Sequence, residues 1–191
     1  MDILIVFLYS YFLGSIPFGL IITKIFLNKD IRKVGSGNIG TTNVLRTGSK
    51  FLAITTLLLD VLKGYASVII SLIFFKDLIF FSSLICFIGH IFPIWLNFKG
   101  GKGIAVYLGI IIALSFPLGI VFSVFWILIA FIFKYSSLSS MIGALSVLLY
   151  SIILNDYLLS LLLFTIFIII LFTHRENIRR LKESEETKIK L

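Results

Sequence analysis

Long apolar stretches, separated by short polar segments, constrain this chain more than any other feature. They cover residues 2–26, 51–75, 78–97, 104–116, 118–133, 138–154 and 157–173. A helix needs about 20 apolar residues to cross the hydrocarbon core of a bilayer. Because 59% of the residues are hydrophobic and only 14% are charged, a water-soluble domain could not cover this apolar surface. The sequence therefore predicts an all-α integral membrane protein.

The number of spans depends on the stretch from 104 to 133, which only Phe116-Pro117 interrupts. One helix of that length would measure about 45 Å, against a hydrocarbon core of about 30 Å. If Pro117 makes a turn, the chain has seven spans, some of them short, with the N-terminus outside. All of the 17 lysines and arginines except Lys63 and Lys76 then fall on one face, together with the tail 174–191. Because basic loops stay in the cytoplasm, we predict seven transmembrane helices, a cytoplasmic C-terminus and a single multi-pass domain, 1–191.

The segment GSGNIG, residues 35–40, matches the G-x-G-x-x-G pattern of dinucleotide-binding folds. That pattern carries meaning only between a buried strand and a helix, whereas here the charged NKDIRKV precedes it and a membrane span follows. Asp60, spaced like a ribose-binding carboxylate, lies inside that span. We therefore exclude a nucleotide site and expect no cofactor. The net charge of +8 marks cytoplasmic loops, and we expect no nucleic-acid partner.

Three polar stretches reach the cytoplasmic interface in this topology. They are VGSGNIGTTNVLRTGSK at 34–50, GHIFPIWLNFKGGKG at 89–103 and HRENIRRLKESEE at 174–186. Glycines let backbone amides turn toward an anion, and Arg46 and Lys102 supply positive charge. Two glycine-and-cation loops predict that two phosphate groups are bound. Taken singly, each loop is also explained by a chain turn and by charges that fix topology.

The remaining polar residues near or inside the spans have structural as well as functional interpretations. His90, near the cytoplasmic end of its span, is typical of a hydrogen-bonded structural histidine. His174 and Asn177 are three positions apart and share a face if the last helix continues into the tail. Asp60 and Lys63 are also one turn apart, which favours a structural ion pair. Two distant histidines without a carboxylate cluster predict no metal site.

Five segments, in order along the whole chain, resemble the bacterial acyl-phosphate:glycerol-3-phosphate acyltransferases, the PlsY family. They are GSIPFGLIITK (14–24), GSGNIGTTNVLR (35–46), LLLDVLKG (57–64), GHIFPIWLNFKGGKG (89–103) and HRENIRR (174–180). The resemblance implies a seven-span enzyme of the bacterial cytoplasmic membrane whose active site faces the cytoplasm. It would transfer a fatty acyl group from acyl phosphate to the 1-hydroxyl of glycerol 3-phosphate in phospholipid biosynthesis, giving lysophosphatidic acid and phosphate. Its implied partners are both substrates, membrane lipid and a peripheral enzyme that makes acyl phosphate, and we expect a monomer.

The resemblance also implies which residues form the site. Its catalytic residues would be Ser36, Arg46, His174 and Asn177. Its glycerol-phosphate-binding loop would be Gly100, Gly101, Lys102 and Gly103. Apart from the resemblance, the residues that offer polar side chains or backbone amides near these loops are further substrate-binding candidates: Gly35, Gly37, Asn38, Thr41, Asn43 and His90. Two positions depart from the family pattern: Val106 replaces a threonine, and Ser184-Glu185-Glu186 replaces Gly-Thr-Glu. No role is therefore assigned to Glu186.

Acyl phosphate is a mixed anhydride that is already activated, so positioning of two anionic substrates would be the main task of the protein. In this hypothesis Arg46, Lys102 and the 100–103 amides neutralise phosphate groups, and Ser36 binds the acyl phosphate or its developing oxyanion. His174 positions glycerol phosphate with support from Asn177, and the general base is either His174 or the departing phosphate. The alternative function is a multi-pass transporter of organic anions or phosphate. Transporters commonly bind at the bilayer midplane between repeated halves, whereas the polar donors here gather at one face.

Overall fold

Ten α-helices make up most of the regular structure of residues 1–189, the part of the chain that the computed structural model describes. They are α1 (Asp2–Ser15), α2 (Phe18–Leu27), α3 (Thr41–Leu45), α4 (Lys50–Phe74), α5 (Ile79–Ile91), α6 (Ile104–Leu114), α7 (Phe116–Phe133), α8 (Ser136–Ile153), α9 (Tyr157–Thr173) and α10 (Arg175–Lys182). Short 3-10 helices occupy Ile31–Lys33, Lys76–Leu78 and Ile94–Leu96. Throughout this range every regular element is helical.

Five stretches are long and apolar enough to cross a membrane by length and composition. They are Asp2–Leu27, Lys50–Phe74, Lys76–Leu96, Phe116–Phe133 and Ser136–Ile153. A sixth results if α9 and α10, which are bent by 59°, count as one broken span. The 11 residues of α6 measure only about 16 Å along the helix axis. The all-helical membrane class is thus confirmed, and the count of seven stays a prediction.

Prolines set breaks that the apolar pattern did not resolve. The predicted span 2–26 is divided at Ile16-Pro17, where Ile16 is extended with φ −62° and ψ 116°. Proline has no amide hydrogen and disfavours helical geometry in the preceding residue, so the hydrogen-bond ladder stops there. Similarly, α5 ends at Ile91, two residues before Pro93, and not at 97 as predicted. The expected break near Phe116-Pro117 falls at Ser115 instead, and Pro117 occupies the first turn of α7, where no amide hydrogen is required.

The helices pack as two units, Met1–Ala113 and the residues from Leu114 onward. In the first unit α1, α4 and α5 meet through small residues. A Cβ on Gly14 would lie 2.1 Å from the carbonyl oxygen of Cys86, so only glycine permits this approach of α1 to α5. The buried Ser82 Oγ lies 2.8 Å from Ser10 Oγ and 3.0 Å from Ser67 Oγ, which links the three helices by hydrogen bonds. The assignment of residues 1–191 to a single domain stays a prediction.

The contacts of α1 and α2 with α4 show how the first unit is threaded. Tyr9 Oη donates to the carbonyl oxygen of Ser67, and further along the chain Lys63 Nζ donates to the carbonyl oxygen of Ile16. Contacts therefore move backward along α4 as α1 proceeds, and the two run antiparallel. Trp95, just after α5, donates from Nε1 to Ser15 at the end of α1. The loops that follow α2 and α5 thus lie at the same end of the first unit, where Leu96 packs with Leu20 and Ile31.

In the second unit α8 packs between α7 and α9. Trp126 Nε1 donates to Ser140 Oγ at 3.1 Å, which joins α7 to α8. Ser151 Oγ and Ser160 Oγ lie 3.0 Å apart and join α8 to α9. The side chain of Asp156 accepts from the amide of Leu159 at 3.0 Å and caps the start of α9. His174 and Asn177 lie at the opposite end of α9, where α9 meets α10.

Candidate active site

The loop from residue 28 to residue 49 is built on its own apolar core. Ile31, Ile39 and Val44 are each at most 2% exposed and pack with Leu20 of α2 and with Leu96, which precedes the second glycine loop. Most of this loop has no regular secondary structure, and the burial of these apolar side chains stabilises it instead. The polar residues of GSGNIG are therefore carried on a fixed platform.

The side-chain amide of Asn43 ties this loop together. Its Oδ1 accepts from the backbone amide of Ser36 at 3.0 Å. Its Nδ2 donates to the carbonyl oxygens of Ile31, Val34 and Asn38 at 3.0, 2.9 and 2.7 Å. Because the residue is 2% exposed, these bonds satisfy backbone groups that water does not reach. The structure therefore gives Asn43 a scaffolding role, and its predicted contact with substrate stays a prediction.

Several backbone amides of GSGNIG are also engaged inside the loop. The amide of Gly37 donates to the carbonyl oxygen of Val34 at 2.9 Å, and that of Gly40 donates to Asn38 Oδ1 at 2.9 Å. Gly35 has φ 53° and Gly37 has φ 72°, a region that residues with a Cβ rarely adopt. The glycines thus shape the turn, and the amides of Ser36, Gly37 and Gly40 hold it closed.

The side chains of Ser36 and Arg46 are exposed in this loop, as are those of Lys29 and Lys33. Within residues 1–189 neither the Ser36 hydroxyl nor the Arg46 guanidinium has a hydrogen-bond or ion-pair partner. The Arg46 side chain passes over Gly35, since a Cβ there would lie 2.8 Å from Arg46 Cδ. In contrast, Arg32 is paired with Asp30, Nη2 to Oδ2 at 2.6 Å, and this hydrogen bond holds the pKa of that carboxyl well below its usual range.

Thr41, at the start of α3, carries an unpartnered polar atom. Its Oγ1 is buried and makes no hydrogen bond within the described residues 1–189. An unsatisfied buried hydroxyl is costly in a folded protein. This observation is compatible with the predicted substrate contact of Thr41, which stays a prediction.

The second glycine loop, residues 100–103, folds back onto the end of α5. The amide of Gly100 donates to the carbonyl oxygen of Ile91 at 2.9 Å, and that of Gly101 donates to the carbonyl oxygen of His90 at 3.1 Å. Gly101 and Gly103 are buried, while Lys102 between them is half-buried. The loop thus presents the lysine from a backbone that is anchored on both sides.

His90 lies beneath this loop, in contact with two charged residues of α4. Lys63 Nζ is 3.0 Å from His90 Nδ1 and 2.8 Å from Asp60 Oδ1. The three residues are at most 4% exposed. The ion pair that the spacing of Asp60 and Lys63 favoured is therefore present, and it includes the histidine as a third member.

His174 lies in the second unit at the 59° bend between α9 and α10. Its Nδ1 is 2.8 Å from the carbonyl oxygen of Ile170, one turn earlier. Because a carbonyl oxygen can only accept, Nδ1 carries the proton of the neutral ring, and Nε2 holds a lone pair. His174 is 2% exposed, so water does not compete with the Ile170 carbonyl oxygen that selects this tautomer.

The carboxylate of Glu186, for which no role was predicted, holds the side chain of Asn177. Asn177 Nδ2 and Ser137 Oγ each donate to Glu186 Oε1 at 2.7 Å, and Arg180 Nε donates to Glu186 Oε2 at 2.8 Å. Burial opposes ionisation of Glu186, but the hydrogen bonds from Ser137, Asn177 and Arg180 lower its pKa overall. The charged carboxylate thus joins the segment after α10 to the start of α8 and fixes the Asn177 amide.

The predicted residues fall into two groups. The first unit carries Gly35, Ser36, Gly37, Asn38, Thr41, Asn43, Arg46, His90, Gly100, Gly101, Lys102 and Gly103, and the second carries His174 and Asn177. Sequence reasoning missed Glu186, although an acid near the end of a basic tail was a visible signal. It also missed the link from Lys63 to His90, which are 27 residues apart and carry no spacing signal.

A family model described as glycerol-3-phosphate acyltransferase matches residues 4–184. The chain is 54% identical over 191 residues to the glycerol-3-phosphate acyltransferase of Pelagibacter ubique (strain HTCC1062), covering 100% of both chains. It is 46% identical over 187 residues to that of Mesorhizobium japonicum, covering 98% of this chain and 96% of the relative.

Two solved structures are also similar. Both are crystal structures of PlsY, an integral membrane glycerol 3-phosphate acyltransferase. The glycerol 3-phosphate form is 33% identical with a TM-score of 0.95, and the lysophosphatidic acid form is 32% identical with a TM-score of 0.92. Each match covers 100% of this chain and 96% of the other. The resemblance inferred from the five motifs is thereby confirmed, and the chain belongs to the glycerol-3-phosphate acyltransferase family of integral membrane enzymes.

Proposed function

We propose that this enzyme transfers a fatty acyl group from acyl phosphate to the 1-hydroxyl of glycerol 3-phosphate, giving lysophosphatidic acid and phosphate. The family assignment supports the acceptor, and the two solved relatives were crystallised in glycerol 3-phosphate and lysophosphatidic acid forms. Acyl phosphate as the donor rests on the motif resemblance. It is also chemically suitable, since a mixed anhydride needs no further activation.

One observation carries the proposal. The first loop supplies hydrogen bonds to its own backbone groups, and the side chains of Ser36 and Arg46 take no part in them. A rigid platform with an exposed hydroxyl and an exposed guanidinium suits a bound phosphate monoester. We assign Arg46 to a phosphate group and the Ser36 hydroxyl to the acyl phosphate or the oxyanion that develops from its carbonyl oxygen. Asn43, Asn38, Gly35 and Gly37 keep the platform in shape.

The second loop is assigned to glycerol 3-phosphate. Lys102 supplies a compact positive charge, and the glycines on either side let the phosphate approach the backbone closely. Neutralising both phosphate groups removes the repulsion that would otherwise keep the substrates apart.

His174 is assigned as the proton acceptor. Its Nε2 lone pair takes the proton of the 1-hydroxyl as that oxygen attacks the acyl carbonyl carbon. A tetrahedral intermediate forms, the bond between the carbonyl carbon and the phosphate oxygen breaks, and the departing phosphate takes the proton from His174. Asn177 supports the geometry of this step, held by Glu186. We thus propose His174 as the initial base. In the alternative, the departing phosphate would itself take the proton of the 1-hydroxyl.

An acyl-transfer assay with purified protein tests the proposal. Labelled glycerol 3-phosphate is offered with a long-chain acyl phosphate, acyl-CoA or acyl carrier protein, and lysophosphatidic acid is measured. We expect product from acyl phosphate alone. Ser36→Ala should lower kcat more than it raises KM, and Lys102→Ala should raise the KM for glycerol 3-phosphate. Absence of product from acyl phosphate would contradict the proposed donor, and substrate uptake into liposomes without product would favour the transporter.

We further propose seven spans in the bacterial cytoplasmic membrane, with the N-terminus outside and both glycine loops and the C-terminus in the cytoplasm. Helices cover most of all seven apolar stretches, with breaks at Pro17 and before Pro93, and in this topology the basic residues gather on one face, as the positive-inside rule requires. Cys86 is buried and is the single cysteine of the chain, so Cys86→Ser gives a thiol-free background. In that background Lys76→Cys should react with an impermeant thiol reagent from outside, and Lys33→Cys only after permeabilisation. The reverse pattern would invert the topology. The peripheral enzyme and the monomeric state stay predictions.

A further inference from the structure

Lys63 is the centre of a buried polar cluster in the first unit. Its Nζ lies 2.6 Å from the carbonyl oxygen of Ile16, 2.8 Å from Asp60 Oδ1 and 3.0 Å from His90 Nδ1. The Asp60 contact is an ion pair, and Oδ1 makes no directed hydrogen bond within residues 1–189. Charges this deep in an apolar span are expensive to keep, and replacing a buried ion pair by apolar residues is often neutral or stabilising. Holding α4 against the segment around Ile16 would not by itself require an ion pair, because apolar residues could do the same at lower cost.

The contact with Lys63 fixes the tautomer of His90. An ammonium group has three hydrogens to donate and no lone pair, so His90 Nδ1 must accept. The neutral ring then carries its proton on Nε2. His90 Nδ1 is 3.9 Å from Asp60 Oδ1, which is too long for a hydrogen bond that would favour the other tautomer.

The Nε2 edge of the same ring lies against the second glycine loop. A Cβ on Gly101 would fall 2.1 Å from His90 Nε2, so the ring occupies the space that any other residue would need. The backbone amide of Gly101 is bonded to the His90 carbonyl oxygen as well. Movement of the ring would therefore displace Gly101 and with it Lys102.

We propose that Asp60 and Lys63 are positioning residues for the phosphate-binding loop 100–103. They hold His90 as the Nε2–H tautomer, with its ring edge against Gly101, and so set where Lys102 meets the phosphate of the acceptor substrate. The inference rests on the proposed function in one respect, the assignment of this loop to glycerol 3-phosphate. It goes beyond that function in giving the buried ion pair a part in substrate affinity.

The tautomer is tested without any reaction. The chain has only two histidines, so the imidazole nitrogens of protein labelled with ¹⁵N-histidine are assigned by comparison with His90→Gln. We expect the His90 signals of a ring protonated at Nε2 and bare at Nδ1, and a loss of this single tautomer in the neutral double variant Asp60→Asn with Lys63→Met. A wild-type ring protonated at Nδ1, or an unchanged His90 spectrum in the double variant, would overturn the proposal.

The effect on substrate is tested by steady-state kinetics. We expect the double variant to raise the KM for glycerol 3-phosphate about tenfold, because small misplacements of a binding group are costly. The KM for acyl phosphate should stay near wild type. The matched control is Ser82→Ala, which removes a buried hydroxyl from the same packing of α1, α4 and α5 but does not touch the loop. An unchanged KM in the double variant, or an equal rise in the control, would refute the positioning role.

If the double variant cannot be purified, two substitutions of His90 replace it. A glutamine places its amide nitrogen near the Nε2 position, while an asparagine reaches only the Nδ1 position. We expect His90→Gln to raise the KM for glycerol 3-phosphate less than His90→Asn, and equal values would overturn the proposal. A wild-type enzyme that makes no product from acyl phosphate contradicts the proposed function, and the nitrogen spectra still decide the tautomer.

Discussion

His174 Nδ1 lies 2.8 Å from the carbonyl oxygen of Ile170, so the neutral imidazole keeps its proton on Nδ1 and a lone pair on Nε2. His90 has the opposite arrangement, because Lys63 donates to its Nδ1. The two histidines of the chain therefore offer different groups at Nε2, an acceptor at His174 and a donor at His90. One suits removal of a hydroxyl proton, and the other does not.

Replacing His174 should therefore impair the chemical step more than binding. We expect His174→Ala to lower kcat by about 100-fold or more, the usual contribution of a general base, with a smaller change in the KM for glycerol 3-phosphate. Steady-state kinetics in detergent measure both. Thr165→Ala, in the preceding helix α9, removes a hydroxyl that bonds only its own helix and should behave as wild type. A kcat within a few-fold of wild type in His174→Ala would contradict the assignment.

Arginine 46 should not be replaceable by lysine. Its planar guanidinium can bind a phosphate group through two hydrogen bonds, which an ammonium cannot reproduce. We expect Arg46→Lys to lower kcat/KM about tenfold or more, in line with loss of a charge-assisted bidentate contact. Arg32→Gln is the matched control, since it changes a cation of the same loop whose charge is already paired with Asp30. Similar losses in both variants would point to general electrostatics instead of a specific contact.

Asn43 should behave as a structural residue of the loop. Its removal leaves buried carbonyl oxygens and the amide of Ser36 without partners, at a cost of about 2–3 kcal/mol in the free energy of unfolding. We expect Asn43→Ala to lower the Tm in detergent by about 5–10 °C and to lower activity with it. As a control, Thr55→Ala on α4, which removes only an exposed hydrogen bond to the carbonyl oxygen of Phe51, should leave the Tm unchanged. A full Tm with lost activity would assign Asn43 to substrate binding instead.

Glu186 should make the enzyme sensitive to acid. Its pKa is lowered in the folded protein, so the stability it contributes is present above the pKa of the unfolded chain and is lost as the pH falls below about 4. We expect the Tm of the wild type to fall more steeply than that of Glu186→Gln across this window. Glu183→Gln, which changes an exposed carboxylate whose nearest cation is 4.0 Å away, is the control. If the Tm of wild type and of Glu186→Gln fell in parallel with pH, the stabilising role of the Glu186–Arg180 ion pair would be contradicted.

Several candidate site residues could be proposed from the sequence because their signal is local in the chain. Gly35, Ser36, Lys102 and His174 lie in compact motifs, and a resemblance at that level needs no knowledge of packing. The apolar stretches are local in the same sense, since the thickness of a bilayer sets their length. The signal for the helix break at Pro17 was also local, because proline lacks an amide hydrogen. A prediction from apolar residues alone does not take that missing hydrogen into account.

The sequence by itself determined that the chain is a helical membrane protein and which polar segments are candidates for its active site. Only the tertiary structure decided how those segments are held. Asn43 supports its loop through bonds to backbone atoms up to 12 residues away, Glu186 meets Ser137 across 49 residues, and Lys63 reaches His90 across 27. Apolar length acts along the chain and can be read from it, whereas a hydrogen bond is satisfied by whichever partner the fold brings within about 3 Å.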